Sequence, residues 1–165
     1  MVTIDELINE LDQEAVTTRR VLERVPNNLD WRPHEKARTL GALAMHVAII
    51  PGALAELIGS ASPAQMPEFK DPIPNSTEDF LPALDQSLAK AKTVLSGMDE
   101  GKLTEVWRLM RGDRELFAVP RTMLFRSLML NHWYHHRGQL AVYLKELDVP
   151  IPSIYGPSAD ENPLV

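Results

Sequence analysis

The sequence predicts an all-α protein built as one four-helix bundle across residues 1–165. Four long stretches carry apolar residues at helical spacing, and four amphipathic helices in a small domain bury their apolar faces against one another. The 165 residues are 44% hydrophobic and 24% charged, which is typical of one globular domain. Cysteine is absent, so the fold relies on its core and not on disulfides.

The first two helices have clear start signals. Thr3 and Glu6 form a capping-box pattern that opens a helix over about 3–25, which ends near Pro26-Asn27-Asn28. A second helix begins near Thr39 and runs to about Ser60. Pro51 lies inside it and predicts a kink, because proline removes one backbone donor.

Long connections separate the remaining helices and predict a topology other than simple up-and-down. Four prolines keep residues 61–75 extended, and a third helix follows a Ser76 or Thr77 cap to about Met98. Residues 103–119 then predict a weak hairpin or an irregular excursion. Pro120 opens a fourth helix to about Leu147, and the proline-containing tail is ordered only if it packs on the body.

Charge and hydropathy exclude several partners. The 17 basic and 23 acidic residues give a net charge of −6, which argues against binding to a nucleic-acid backbone. Asp5 and Glu6 stand where a secretory signal needs positive charge, and no stretch approaches the ~20 apolar residues of a membrane span. We expect a cytoplasmic protein with neither nucleic-acid nor membrane partners.

Histidines on the fourth helix indicate metal chemistry. His132 and His136 lie one turn apart and about 40° apart in direction, a spacing that lets two imidazoles bind one ion. On a helical wheel the apolar face of this helix is centred close to them. His135 falls at the edge of that face and is assigned to the rim. Arg137, about 140° from His132, is expected to be a surface or interface charge.

A third ligand has to come from another helix, and His46 is the candidate because it points towards the apolar side of the second helix. His34, in a loop, is the weaker choice. Three neutral imidazoles leave at least one coordination position open, as catalytic sites do. Gln139 either orients a ligand or only packs. The alternative is that no metal binds and the histidines form buried hydrogen-bonded pairs.

These residues resemble the DinB-like metalloprotein superfamily, the damage-inducible and YfiT-like group. The resemblance spans nearly the whole chain, and the HxxxHRGQ segment is its most specific part. The stretches that carry it are Leu43–His46, Asn131-His132, His135–Leu140, Trp31–Glu35, Val149-Pro150 and Tyr155–Glu161.

The resemblance implies a four-helix bundle, often a homodimer, that holds nickel or zinc through His46, His132 and His136. Some relatives are transferases or isomerases that use low-molecular-weight thiols. One hypothesis is therefore a divalent-metal-dependent transferase or hydrolase acting on a small electrophilic substrate, with a low-molecular-weight thiol as a partner. The alternative is a non-catalytic metal-stabilised bundle or a small-molecule-binding stress protein, which a fourth protein ligand would favour.

Overall fold

The computed structural model describes residues 2–164 and is mostly helical, with one small three-stranded sheet. Its helices are α1 (Ile4–Leu22), α2 (Leu40–Gly59), α3 (Phe80–Ser96), α4 (Glu100–Thr104), α5 (Arg121–Leu124) and α6 (His132–Glu146). A 3-10 turn at Thr77–Asp79 precedes α3, and a π-helical segment at Phe125–Asn131 joins α5 to α6. The strands are β1 (Ala64–Gln65), β2 (Val106–Arg111) and β3 (Arg114–Pro120).

Helix starts follow the capping residues. The Thr3 side chain accepts a hydrogen bond from the Glu6 backbone while Glu6 reaches back to Thr3, which completes the expected capping box. Thr39 caps α2 by accepting from Ala42 at 3.2 Å, and Ser76 caps the 3-10 turn that leads into α3. Each capped position satisfies backbone donors that the first helical turn leaves free.

The central element is α2, which packs against α1, α3 and α6. By length and composition it is the one helix of residues 2–164 that could cross a membrane, so the expectation that no stretch approaches that length was wrong. However, 67% of its apolar window is buried inside the protein. A helix that is apolar all round is typical of a core position as well as of a membrane span.

Pro51 creates a docking point in α2. Because proline has no N–H, it leaves the carbonyl of Val47, four residues earlier, without its helical partner. The indole Nε1–H of Trp133 on α6 donates to that carbonyl at 2.8 Å. Helix α2 continues through Pro51 to Gly59. The carbonyl that the proline leaves free therefore links α2 to α6 without interrupting either helix.

The excursion after α3 is a hairpin. Strands β2 and β3 pair antiparallel around Gly112, whose φ of 58° suits a residue without Cβ. β1 adds to β2 in parallel, with Ala64 opposite Leu109, and thereby ties the 61–75 connection to the hairpin. The sheet is an addition to the expected all-α architecture.

The fourth long helix is helical from Arg121 to Glu146, but its middle is π-helical. A π turn holds more residues than an α turn, so the ~100° step per residue of an α-helix cannot be applied across the π-helical segment. The buried residues of α6 are Trp133, Arg137, Leu140 and Leu144. They centre about 110° from His132. The prediction that the apolar face of this helix is centred on His132 and His136 was therefore wrong, because the buried face of α6 points in a different direction.

Arg137 corrects a second expectation, because it is 1% exposed and not a surface charge. Its guanidinium pairs with Glu14 of α1 at 2.6 Å and donates to the Thr18 hydroxyl at 3.1 Å. It also donates to the Tyr155 hydroxyl, which holds the C-terminal tail against α1 and α6. The C-terminal tail therefore packs on the rest of the protein, which is the condition that the sequence set for an ordered tail.

Candidate metal centre

Three histidine side chains from two elements converge on one point. The Nε2 atoms of His46 and His132 are 3.5 Å apart, and one ring nitrogen from each of His46, His132 and His136 lies within 4.8 Å of the others. Two nitrogens at ~2.05 Å from a tetrahedral ion are about 3.3 Å apart. The observed spacing is therefore close to that of a three-nitrogen metal site.

Trp133 places these rings together. It follows His132 on α6, and its acceptor Val47 follows His46 on α2. The indole hydrogen bond therefore sets the register between the two helices one residue away from each histidine. His136 comes to the same point because it lies one turn along α6 from His132.

Two of the imidazoles have an oxygen beside their outward nitrogen. Nδ1 of His136 lies 2.7 Å from the amide oxygen of Gln139. Nδ1 of His46 lies 2.9 Å from Oδ2 of Asp71, in a bent approach and with no other partner. Acceptors on the far nitrogen select the tautomer that leaves Nε2 free to bind a metal.

Burial keeps the three imidazoles neutral. It lowers the pKa of His46, His132 and His136, and it is the largest influence on each. The hydrogen bond with Asp71 offsets part of that lowering for His46, and neighbouring histidines lower the pKa of the other two further. Neutral imidazole is the protonation state that ligates metals.

A cavity of about 290 Å³ adjoins the three rings. Side chains of α2, the π-helical segment, the hairpin and the 61–75 connection form its walls. The apolar residues that line it are Ile49, Ile50, Ala53, Leu54, Leu57, Met66, Phe69, Leu109, Phe117 and Leu128. Arg38 and Asp71 are the two charged residues among its lining.

Sequence reasoning missed Asp71 and Arg38. Asp71 lies in the proline-containing connection, which brings it over His46, and its carboxylate also pairs with the Arg38 guanidinium. Only 18% of the Asp71 side chain is exposed. The available signal was an acidic residue in a proline-rich segment that also carries Glu68, which by itself indicates nothing specific.

The remaining candidates stay outside the cluster. His135 is exposed, and its ring stacks edge-on at 5.0 Å from His136, in agreement with its rim assignment. His34 is exposed in the loop before α2, where its Nδ1 accepts from the Lys36 backbone at 3.1 Å. Among residues 2–164, His46, His132 and His136 make the one group of three suited to hold an ion.

Comparison with known proteins agrees with this fold. The chain is 24% identical over 163 residues to the uncharacterized protein YrdA of Bacillus subtilis, covering 96% of this chain and 92% of YrdA. The crystal structure of a DinB-like protein from Bacillus cereus superposes with a TM-score of 0.72 at 23% identity, covering 93% of this chain and 98% of that one. The DinB-like protein YjoA from Bacillus subtilis gives a TM-score of 0.66 at 17% identity, covering 90% and 97%.

The fold is that of DinB-like proteins, and α2 and α6 bring together three imidazoles that could hold a metal ion. The model of the DinB family matches residues 1–163, nearly the entire chain. The chain therefore belongs to the DinB family.

Proposed function

We propose that this protein binds one divalent metal ion through His46, His132 and His136 and acts as a metal-dependent transferase or hydrolase on a small electrophilic substrate. The observation that supports it is the convergence of three neutral imidazoles, two of which have an oxygen of Gln139 or Asp71 beside the outward nitrogen. Three ligands of this kind suit zinc or nickel. A bound ion would supply Lewis acidity, which lowers the pKa of a thiol or water molecule beside it.

The residues of this chain would orient the ligands and exclude water. Asp71 and Gln139 place an oxygen 2.9 and 2.7 Å from Nδ1 of His46 and His136, which would favour the tautomer that presents Nε2 to the ion. The apolar walls of the adjoining cavity would keep a reacting thiolate or hydroxide in a poorly solvated environment. A low-molecular-weight thiol is the proposed co-substrate, because the chain has no cysteine to serve as its own nucleophile.

The donor set favours a catalytic site over a purely structural one. A structural zinc site is closed by four protein ligands. Within residues 2–164 the cluster has three, and Asp71 is engaged by the far nitrogen of His46 and by Arg38. A cavity next to the three rings gives a substrate access to them.

Metal content tests the first half of the proposal. We expect about one zinc or nickel ion per chain in protein purified without chelator. His136→Ala should weaken zinc binding at least 100-fold, as measured by competition with a chromogenic chelator. His135→Ala is the matched control, since it removes an exposed imidazole one residue away. Equal zinc retention by both variants would contradict the ligand assignment.

Catalysis needs a separate assay. We expect the zinc- or nickel-loaded protein to accelerate the substitution of chloride on an activated aryl chloride by a small thiol, which forms an aryl thioether and releases chloride and a proton. His136→Ala should lose this acceleration, whereas His135→Ala should keep it. Stoichiometric metal binding without any acceleration by thiol or water would favour the non-catalytic, metal-stabilised alternative.

Two further proposals concern assembly and location. We propose that the protein is a cytoplasmic homodimer. Light scattering at micromolar concentration tests the dimer, and a mass of 18.5 kDa, that of one chain, would contradict it.

A further inference from the structure

The cavity beside the histidines is elongated and has one polar end. Along α2 its lining includes His46, Ile50, Ala53 and Leu57, which recur every three or four residues on one face. Leu57 follows His46 by eleven residues, which is about 16 Å along a helix. The cavity therefore extends along α2 from the three imidazoles towards Leu57.

Apolar side chains surround the part of the cavity away from the histidines. Leu109 and Phe117 are cross-strand partners in the hairpin, and both face the cavity. Met66 and Phe69 of the 61–75 connection and Leu128 of the π-helical segment complete the lining. None of these side chains is a hydrogen-bond donor of ordinary strength, so a polar group placed among them would lose its hydration without compensation.

Charge is confined to the histidine end. Arg38 and Asp71 pair with each other there and largely cancel. Three neutral imidazoles leave the charge of a bound divalent ion uncompensated, so this end of the cavity attracts an anion. The exposed fraction of the Arg38 side chain is 45%, which leaves part of its guanidinium open to a ligand.

The volume limits the ligand. A cavity of about 290 Å³ lies at the small end of the ~300–1,000 Å³ range of ligand pockets, which suits a small molecule. A molecule with a head group of two or three atoms and a tail of about six to eight carbons would fill it.

We propose that the ligand of this site is a small amphipathic anion, whose head group lies at the histidines and Arg38 and whose unbranched apolar tail extends along α2 towards Leu57. This inference rests on the proposed function, because the bound metal supplies the positive charge at the head-group end.

A homologous series of n-alkanoates, from butanoate to decanoate, tests the ligand class by calorimetric titration of the full-length zinc-loaded protein. We expect affinity to rise about three- to fourfold per added methylene, the increment for burying one such group, and to level off near eight carbons. The 8-hydroxyoctanoate ion is the polar control. It should bind at least tenfold more weakly than octanoate, because its terminal hydroxyl would be buried without a partner.

Two matched variants locate the tail. Ala53→Leu adds three carbons inside the cavity and should weaken octanoate binding at least tenfold while leaving butanoate and zinc binding unchanged. Ala89→Leu makes the same change at an exposed position of α3 and should alter neither. Affinity that is independent of chain length, or an Ala53→Leu variant that binds octanoate like Ala89→Leu, would overturn the proposal.

Zinc titration of the same samples, run first, keeps the two proposals apart. A protein that binds zinc without discriminating chain length overturns the ligand class and leaves the metal site intact. A protein that binds no zinc but whose metal-free form still prefers octanoate to 8-hydroxyoctanoate overturns the metal site and supports the tail assignment.

Discussion

His136 and Arg137 are consecutive on α6, yet they belong to two polar clusters of opposite character. Arg137 is 1% exposed, and its guanidinium reaches Glu14, Thr18 and the Tyr155 hydroxyl. It also lies over the rings of Tyr134 and Tyr155, at 5.3 and 5.1 Å from their centroids. In contrast, the inward nitrogens of the three histidines face one another, and the Nε2 atoms of His46 and His132 are 3.5 Å apart.

The difference separates a structural cluster from a binding site. In the Arg137 cluster a full set of protein partners offsets the cost of burying a charge, so nothing further needs to bind. In the histidine cluster three neutral imidazole nitrogens lie within 4.8 Å of one another with no carboxylate in the group, a donor set that could hold an ion. Buried polar groups therefore indicate binding where the cluster does not itself contain the partner that would complete it.

The largest expected effect comes from a substitution that breaks the structural cluster around Arg137. Arg137→Met should destabilise the protein by about 3–5 kcal/mol, because the Glu14 carboxylate, whose side chain is only 15% exposed, loses its counter-charge. Urea unfolding measures the loss. Arg108→Met is the control, since it removes an exposed arginine paired with exposed Glu115 and should cost under about 1 kcal/mol. Similar values for the two variants would contradict a structural role for Arg137, and the folded fraction of each should still bind zinc.

A bound metal ion should stabilise the protein through the histidine cluster. Zinc at 100 times its dissociation constant is expected to raise the free energy of unfolding by about 2.7 kcal/mol. Thermal unfolding with zinc and with chelator provides the comparison. His136→Ala should show no such difference between the two conditions, and a zinc-dependent rise that survives this substitution would place the ion elsewhere.

The hydrogen bond from Trp133 to the Val47 carbonyl, which sets the register between α2 and α6, can be tested by a rescue substitution. Trp133→Phe should cost about 1–3 kcal/mol, because the Val47 carbonyl loses its donor. Adding Pro51→Ala restores a backbone N–H four residues along α2, so the double variant should recover part of the hydrogen-bonding loss. Chemical denaturation of the two single variants and the double variant measures this coupling. Strictly additive losses would show that the indole acts only by packing.

Asp71→Asn should weaken zinc binding about 10- to 100-fold, the usual cost of losing a carboxylate behind a histidine ligand. The expected loss is smaller than for His136→Ala because all three ligands remain. Glu68→Gln is the matched control in the same connection, since Glu68 is exposed and pairs with Lys70. Competition with a chromogenic chelator again measures zinc affinity, and equal affinities for the two variants would exclude a positioning role for Asp71.

The smallest effect is the pH dependence of the metal-free protein. Burial lowers the pKa of the three imidazoles below the value near 6.5 of the unfolded chain. Between the lowered pKa values and pH 6.5 the unfolded chain binds more protons than the folded protein. The stability that these histidines contribute is therefore fully present above pH 6.5 and is lost as the pH falls below it. Urea unfolding between pH 5 and 8 should show this fall, with a shallower slope in His46→Gln. Stability that rises on acidification would contradict the burial of neutral imidazoles.

Local patterns predicted much of the site. The caps at Thr3 and Thr39 marked helix starts, and the four-residue spacing of His132 and His136 put both on one face of a helix. His46 was found because a histidine among apolar residues of a helix tends to face the interior. Each of these inferences depends only on residues within about one turn of one another, where backbone geometry fixes side-chain direction.

The misplaced residues depended on longer-range structure. Arg137 was assigned to the surface because a uniform wheel was carried across the π-helical segment, whose extra residues rotate α6. Asp71 was missed because its position follows from the pairing of β1 with β2, residues 64 and 65 with residues 109 and 110. The cavity wall formed by Leu109 and Phe117 was missed because the sequence predicted only a weak hairpin or an irregular excursion.

By itself the sequence determined the long helices, the caps at Thr3 and Thr39 and the three candidate histidines, because each depends on periodicity or on capping residues within one element. Tertiary structure alone determined which face of α6 is buried, what lies behind each imidazole and where a ligand can enter. Those features arise where distant segments pack together, and the free energy of such packing depends on the partner surface as much as on the segment that meets it.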